Sequence, residues 1–595
     1  MLLTLRRLLP SHRSPPAAPA ARATSHSNTR TADAPAARHP GWVMVLVSIW
    51  MATVSNLPLW REVAALPGHG SLRGWGFVLA FGVIVVAGNT ALLCTLAWRR
   101  AWVKPVAGLM VVVAALGACF MLAYGIAIDA SMLVNVLQTD VHEAGDLLGW
   151  RMVFTVLALA GPPLLWLQRT PLKRLGSLRH AAHNAALLGV ALVVAVLCLL
   201  LVFQDFASTM RNQPRLRYLI NPLNSVYALG HVATQPLRMN TRTLLPVGRD
   251  AHLGASYAGQ ADAPLLVLVL GETGRSGNFG VNGYTRNTTP LLSARSDLAS
   301  ARNAWSCGTS TAASVPCMFS HLGRTGYEAR AANFETLIDV LQHAGLAVLW
   351  VDNQSGCKGV CDRAGQISTT DLKDPALCAP GAECLDRVML QDLDARIAAL
   401  PAQQRQRGTV VVLHQMGSHG PAYSKRSAPE HKHFVPECTS TALQDCDRQQ
   451  VVNAYDNSIV ETDAFLDEVI RWLAARGGRA NTAMVYVADH GESLGENNLY
   501  LHGLPYSIAP DVQKHVPWIT WLSPAMQARQ HTAIRCLQND LSERRITHDS
   551  YFHSVLGLMD VQTGAYRPEL DVYAGCRAAS TSKSASTLAS AAPLP

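Results

Sequence analysis

Three stretches that lie far apart in the chain carry residues whose types and spacing could do chemistry together. The first, residues 304–320 (AWSCGTSTAASVPCMFS), sets four hydroxyls, Thr309, Ser310, Thr311 and Ser314, between Cys307 and Cys317. A disulfide across that interval would hold the loop rigid while one hydroxyl faces a reactive centre as nucleophile. Hydroxyl-rich loops also cap helices and close turns, so this loop alone does not establish catalysis. The other two stretches, GETGR from Gly271 and ADHGES from Ala488, add Glu272, Asp489 and His490. Two carboxylates and an imidazole suit a divalent, zinc-like ion, and a hydroxyl oxygen would complete a tetrahedral shell. A metal lowers the pKa of a bound alcohol far enough to make the alkoxide available, which suits attack on a phosphodiester. His419, in HQMGSHGPAY, and His502, in LYLHGLP, lie in loops placed to return to this centre, one to hold phosphate and one to protonate the leaving oxygen. His548 and His553, in ITHDSYFHSVLGL, read as packing residues beneath a C-terminal helix.

The elements that must position these groups are legible around them. Glu272 follows LLVLVL (265–270), a continuous apolar run of strand length, and similar runs recur at 347–352, 409–415, 483–489 and 517–522. Such strands are buried on both faces, as in a parallel sheet. Helical stretches separate them; in one, Thr462, Leu466, Val469, Ile470 and Leu473 share a stripe. The alternation predicts an α/β sandwich with a mostly parallel sheet, in which ligands collect at the carboxyl ends of the strands. Glu272, His419 and Asp489-His490 all follow such ends.

Before this domain lies a part of different composition. The 595 residues are 49% hydrophobic and only 15% charged, and mean hydropathy is +0.14. These values describe a membrane part joined to a soluble part. The net charge of +9 resides in a basic tail and in short loops between apolar runs, which speaks for membrane orientation and against a nucleic-acid partner. Residues 1–39 read as a disordered basic tail, 40–204 as a five-helix transmembrane domain, 205–262 as a juxtamembrane connector, 263–577 as the catalytic domain and 578–595 as a second disordered tail. The spans fall near 41–60, 74–97, 105–128, 150–168 and 183–204. Arg99, Arg100 and Lys104 follow the second span, and Arg169, Lys173, Arg174 and Arg179 follow the fourth. Those sides are expected to be cytoplasmic, as is the N-terminus, so everything after the fifth span lies outside. The cysteines agree with this topology: Cys307/Cys317, Cys357/Cys361, Cys378/Cys384 and Cys438/Cys446 form close pairs in the polar half, a disulfide framework for an oxidising compartment. Cys536 and Cys576 have no near partner in sequence. The loop after the third span places Asn135, Thr139 and Glu143 at helical spacing, either a solvated face or an edge that grips a lipid headgroup.

Taken together, GETGRSGNFGVNGYTRNTTP, SCGTSTAASVPCMFS, HQMGSHGPAY, VADHGESLGENNLYLHG and HDSYFHSVLGL, behind five membrane segments, resemble the lipid A phosphoethanolamine transferases of Gram-negative inner membranes. That group includes the mobile colistin-resistance enzymes, and the likeness runs from about residue 40 to 577. The resemblance implies an alkaline-phosphatase/sulfatase-like fold, zinc held by Glu272, Thr311, Asp489 and His490, and Thr311 as the nucleophile. The residues alone leave Thr309 and Ser310 open beside it. His419 and His502 fall on the family's second-metal and substrate histidines, and Asn135, Thr139 and Glu143 on its headgroup positions. One Zn2+ is expected to be tightly bound, with a second during turnover. The donor would be phosphatidylethanolamine and the acceptor lipid A or lipopolysaccharide, the chain acting as an inner-membrane monomer among membrane lipids with its catalytic domain in the periplasm. The product would carry less negative charge, the basis of polymyxin resistance. Transfer to the lipopolysaccharide inner core or to a periplasmic glucan is the alternative. A sulfatase- or phosphatase-type hydrolase ranks lower, because the nucleophile loop lacks the cysteine-proline-serine-arginine pattern of sulfatases. The match departs at GYEARAANFE (326–335), which lacks a lysine found in some relatives and offers Arg330.

Overall fold

The computed structural model describes residues 37–577 apart from 67–69, 139–144, 146, 148, 235–239, 259–261, 370, 371, 373, 375 and 379–383. Residues 1–36, the whole of 578–595 and the positions of Thr139 and Glu143 lie outside the described residues. Among the described residues five helices are long and apolar enough to cross a hydrocarbon core: Pro40–Ala64, Leu72–Leu96, Arg100–Tyr124, Trp150–Arg169 and Ser177–Leu201. A short 3-10 turn at Val54–Asn56 interrupts the first. There the Asn56 side chain is buried, and its amide donates to the Met51 carbonyl at 2.7 Å.

The connector after the fifth span is partly built into this bundle. Asn221 is fully buried; its amide donates to the carbonyls of Ser55 (3.1 Å) and Ala114 (2.6 Å), and its backbone N–H donates to Asn56 Oδ1 (2.9 Å). Pairing its nitrogens lowers the cost of placing such a polar group in an apolar bundle. The close approach needs Gly117, where a Cβ would lie 2.8 Å from Asn221 Oδ1.

The soluble part is organised on an eight-stranded sheet. In chain order its strands are β1 (Leu265–Gly271), β2 (Leu298–Trp305), β3 (Ala347–Asp352), β4 (Gly365–Ser368), β5 (Thr409–His414), β6 (Thr482–Ala488), β7 (His515–Leu522) and β8 (Ile546–Thr547). Their spatial order is β8-β2-β7-β6-β1-β5-β3-β4, and β7 alone runs antiparallel to its neighbours. The five apolar runs read from the sequence are all strands of this sheet. Trp350 on β3 and Trp518 on β7 are fully buried within one core that spans strands and covering helices. The long helix Arg448–Ala474 opens on a capping box, Asp447 with Gln450, and buries Thr462, Leu466, Val469, Ile470 and Leu473. The strand register sets where the loops emerge. Gly271 pairs with Ala488, Leu270 with His414, and His414 with Asp352, so the carboxyl ends of β6, β1, β5 and β3 lie level.

Candidate active site

Because β1 and β6 are adjacent, parallel and in register, the residues that come after them emerge side by side. Glu272 continues β1, Asp489 and His490 continue β6, and the Asp489 N–H donates to the Gly271 carbonyl at 2.8 Å. The ligand-type atoms of Glu272, Asp489 and His490 all lie within 4.8 Å of one another, and all three residues are buried. His490 Nε2 stands 3.3 Å from Glu272 Oε1 and 3.4 Å from Asp489 Oδ2. Its Nδ1 donates to the Gly491 carbonyl at 2.9 Å, which leaves Nε2 as the ring atom that faces the carboxylates, the atom a metal would take in place of a proton. Asp489 Oδ2 is buried without a hydrogen-bond partner. A buried, unpaired carboxylate oxygen beside a second carboxylate and an imidazole nitrogen is costly unless a cation joins them, so the donor set fits a divalent metal.

The hydroxyl loop reaches the same point from β2. Thr311 opens the helix Thr311–Met318, and its Oγ1 lies 3.0 and 3.2 Å from the two Glu272 oxygens and 3.5 Å from His490 Nε2. The geometry separates the hydroxyls that the sequence left open. Thr309 donates to the Leu504 carbonyl (2.6 Å) and Ser314 to the Asp489 carbonyl (2.5 Å), so both are engaged by backbone acceptors. Ser310 precedes the helix in extended conformation, and Thr311 is the hydroxyl against the carboxylates. Its place in the first turn adds the positive end of the helix dipole, which favours an alkoxide or a phosphoryl oxygen there. The Cys307–Cys317 disulfide closes the loop over that turn.

His502 and His419 complete the cluster. The His502 ring centroid lies 4.2 Å from that of His490 and 5.6 Å from that of His419. His502 Nδ1 is held by Glu492 at 3.1 Å, and His419 Nδ1 is buried without a partner. The loop carrying His419 passes so close to Glu272 that a Cβ at Gly417 would lie 2.6 Å from the Glu272 carbonyl oxygen, and Gly417 has a φ of +52°.

Burial opposes charge on all of these groups, and their mutual fields decide the outcome. For Glu272, burial is outweighed by the hydrogen bond from His490 and by the charge of His490, which hold its carboxyl well below the usual range. Burial likewise opposes charge on His490, yet Asp489 and Glu272 push its imidazole up to about 10 when only protein groups surround it. Burial, then the charge of His490, holds His502 well below the ordinary histidine range, and burial pushes Glu492 up to about 8.

Several residues at the site carry no metal-ligand signature in the sequence. Gln354 comes after β3 as Glu272 comes after β1, and its amide donates to Glu272 Oε2 at 3.2 Å; the strand-end rule, applied once more, would have found it. Thr273, at a φ of +58°, donates its hydroxyl to Glu272 Oε1 (2.7 Å) and its N–H to Asp489 Oδ1 (3.1 Å). His548, buried after β8, lies directly beneath the nucleophile loop. Its Nδ1 accepts the Cys307 N–H at 3.1 Å and lies 3.3 Å from Ser314 Oγ, and its Nε2 meets the Ala488 carbonyl at 3.1 Å. It therefore ties the loop of Thr311 to the strand of Asp489. His553 is remote from these contacts and accepts the Arg567 N–H. Asn135 stands on the helix Ala130–Gln138, which packs against Thr311–Met318. Arg330 is turned onto Tyr327, with its guanidinium 3.6 Å from the ring centroid.

The close cysteine pairs Cys307–Cys317, Cys357–Cys361, Cys378–Cys384 and Cys438–Cys446 are disulfides. Cys361 and Cys384 are buried in the core of the sheet domain, where their sulfurs lie 3.3 Å from Gln366 Oε1 and 3.5 Å from the Leu372 carbonyl oxygen. Once oxidised neither sulfur carries a proton to donate, so these are packing contacts, and both cysteines brace loops rather than take part in the chemistry. Tertiary folding adds a fifth disulfide, Cys536–Cys576, across 40 residues of sequence.

Comparison with known proteins places this arrangement. A family model described as sulfatase matches residues 264–561, and one described as phosphoethanolamine transferase EptA/EptB matches residues 85–237. Over 543 residues the chain is 38% identical to phosphoethanolamine transferase EptA of Escherichia coli strain K12, covering 90% of this chain and 96% of that protein. It is 33% identical over 534 residues to phosphatidylethanolamine transferase Mcr-1 of Escherichia coli, covering 88% and 95%. The solved integral membrane lipooligosaccharide phosphoethanolamine transferase A from Neisseria meningitidis superimposes with a TM-score of 0.85 at 34% identity, covering 90% of this chain and 98% of that one. Similarity of this extent, through the membrane spans as well as the sheet, shows that the chain is an integral membrane protein belonging to the phosphoethanolamine transferase family.

Proposed function

We propose that this chain transfers phosphoethanolamine from phosphatidylethanolamine to lipid A, in two steps that share Thr311. The observation that carries this reading is the seat of Thr311 Oγ1, within 3.2 Å of both Glu272 oxygens, at a helix N-terminus beside His490. In the first step the Thr311 oxygen bonds to phosphorus while the phosphorus–oxygen bond to glycerol breaks, and diacylglycerol leaves with a proton. In the second, an oxygen of lipid A bonds to the same phosphorus and the Thr311 oxygen is released. A zinc ion bound by Glu272, Asp489, His490 and Thr311 Oγ1 would supply the charge that makes the alkoxide accessible at neutral pH, and a second would add charge near His419 and His502. The protein groups do the rest. Thr273 and Gln354 fix the Glu272 carboxylate by hydrogen bonds. Glu492 orients His502, whose uncharged imidazole is suited to contact phosphoryl oxygens, and His419 is suited to protonate the departing oxygen. Asn135, with Thr139 and Glu143, would hold the ethanolamine end of the donor.

The topology that goes with this reading puts the sheet domain in the periplasm and the N-terminus in the cytoplasm. The disulfides support it, since such bonds persist in an oxidising compartment. The lipid A mass spectrum of a Gram-negative host with and without this chain is the direct test. Addition of phosphoethanolamine to lipid A is expected. Addition confined to core sugars or periplasmic glucan would move the acceptor, and no addition to any fraction would defeat the assignment.

His548 is a positioning residue in this scheme. His548→Ala removes the acceptor of the Cys307 N–H and is expected to lower kcat about tenfold to a hundredfold, with KM little changed. His548→Asn, which keeps a side-chain acceptor, should recover part of that loss. Steady-state assays with a labelled phosphatidylethanolamine, run beside thermal melts, separate this from general destabilisation, which would lower the melting temperature without sparing the asparagine variant.

A further inference from the structure

The membrane helices and the soluble part enclose a cavity of about 250 Å3 that is separate from the metal cluster: none of Glu272, Thr311, Asp489 or His490 lines it. One wall is the end of the third span together with the opening of the fourth, which contribute Phe120, Leu122 and Met152. The opposite wall is the loop 441–444, whose polypeptide is closed by the Cys438–Cys446 disulfide. Arg61, in the last turn of the helix Leu57–Ala64, and Arg151, in the first turn of Trp150–Arg169, both face the space. Arg151 pairs with Asp445 across the junction of the two parts, while Arg61 has no carboxylate partner among the described residues. Thr155, Thr441 and Gln444 add polar groups, and Gln444 Oε1 is buried without a hydrogen-bond partner.

We propose that this cavity is a binding site for the phosphate group of an anionic membrane lipid. Among the described residues, two guanidinium groups against one carboxylate leave a net positive charge. The arginine fork has more donors than the single contact to Asp445 uses, and phosphate is the anion it matches. The apolar wall suits the first carbons of an amphiphile rather than free inorganic phosphate. Depth agrees, because the cavity lies where spans end and the soluble part begins, the level of lipid headgroups. A zwitterionic headgroup brings its own ammonium against Arg61 and is disfavoured. A lipid phosphate held here touches both halves of the protein at once and would stabilise the soluble part on the membrane helices. This inference does not rest on the transfer reaction.

The test uses the full chain in detergent micelles doped with phosphatidylglycerol, bisphosphorylated lipid A or phosphatidylcholine, with lipid retention read by native mass spectrometry. Retention of both anionic lipids over phosphatidylcholine is expected. Arg61→Gln and Arg151→Gln should each weaken that retention by about tenfold. Asp445→Asn should leave it equal or stronger, because it frees the Arg151 guanidinium. Tighter retention of lipid A than of phosphatidylglycerol assigns the site to the glycolipid, and the reverse to a glycerophospholipid. Equal retention of phosphatidylcholine, or no effect of Arg61→Gln, overturns the proposal. So does an Asp445→Asn loss as large as that of Arg151→Gln, which would make the ion pair a docking contact only. Among the described residues Arg61 has no ion pair to lose, so its variant stays informative if Arg151→Gln misfolds.

Discussion

Thr311→Ala is expected to reduce phosphoethanolamine transfer by about a thousandfold or more, and to abolish a phosphoethanolamine adduct on the protein. The size of the effect reflects what the hydroxyl does. With its oxygen gone, Thr309 and Ser314 cannot take over, because they already donate to the carbonyls of Leu504 and Asp489, and Ser310 is not the loop hydroxyl that stands against Glu272. Binding of the donor should survive, since the methyl-sized side chain fits the same buried seat. Thr311→Ser should retain measurable transfer, as it keeps the oxygen. Thr309→Val serves as the contrast: it breaks one buried hydrogen bond in the same loop and should cost about tenfold. Intact-mass analysis of the chain incubated with donor alone reads the adduct directly. An adduct of unchanged yield on the Thr311→Ala chain would remove Thr311 from the mechanism.

Stripping the metal with a strong chelator, or replacing His490 or Asp489 with Ala, is expected to lower transfer by about a hundredfold or more. Re-addition of zinc should restore the chelated wild type and neither variant. The physical reason is the same for both treatments. Two buried carboxylates meet at the ends of β1 and β6, and only a cation makes their proximity tolerable. When the metal leaves, a proton replaces it, since Asp489 and Glu272 outweigh burial and push His490 up to about 10. Metal binding therefore releases a proton at neutral pH, and affinity should rise roughly tenfold per pH unit in that region. The sign is definite: acidification favours the protonated imidazole and loosens the metal, whereas raising the pH tightens it. Competition titrations against a chelating dye across the neutral range, with bound zinc counted by elemental analysis, give both the stoichiometry and the slope. A full complement of zinc retained by His490→Ala, or an affinity independent of pH, would contradict this account.

The parts of the molecule that were legible beforehand are those set by local pattern. Each of LLVLVL, AVLWVD, TVVVLHQ, AMVYVAD and PWITWL is long enough for a strand and too short for a span, and each lies in the sheet. The apolar helices of 20 to 25 residues announced themselves equally well, because a helix satisfies its own backbone in a hydrocarbon core. The edge strands β4 and β8 carry no such signal. They are 4 and 2 residues long, and they exist because a neighbouring strand offers its hydrogen bonds.

Sequence by itself determined which residues could do chemistry and that they come after strand ends, because periodicity and side-chain type are local properties. Close cysteine spacing was local in the same sense, which is why the pairs ending at Cys361 and Cys384 could be read from the chain. It could not say which of three neighbouring hydroxyls meets the carboxylates, since that depends on a loop crossing from β2 over β7 to β6. It was equally silent on Gln354, on His548 beneath the nucleophile loop, on the Cys536–Cys576 bond and on the asparagine that plugs the connector into the membrane bundle. Each of these is a pairing between segments tens to hundreds of residues apart, and only the order and register of the packed strands and helices decides who meets whom.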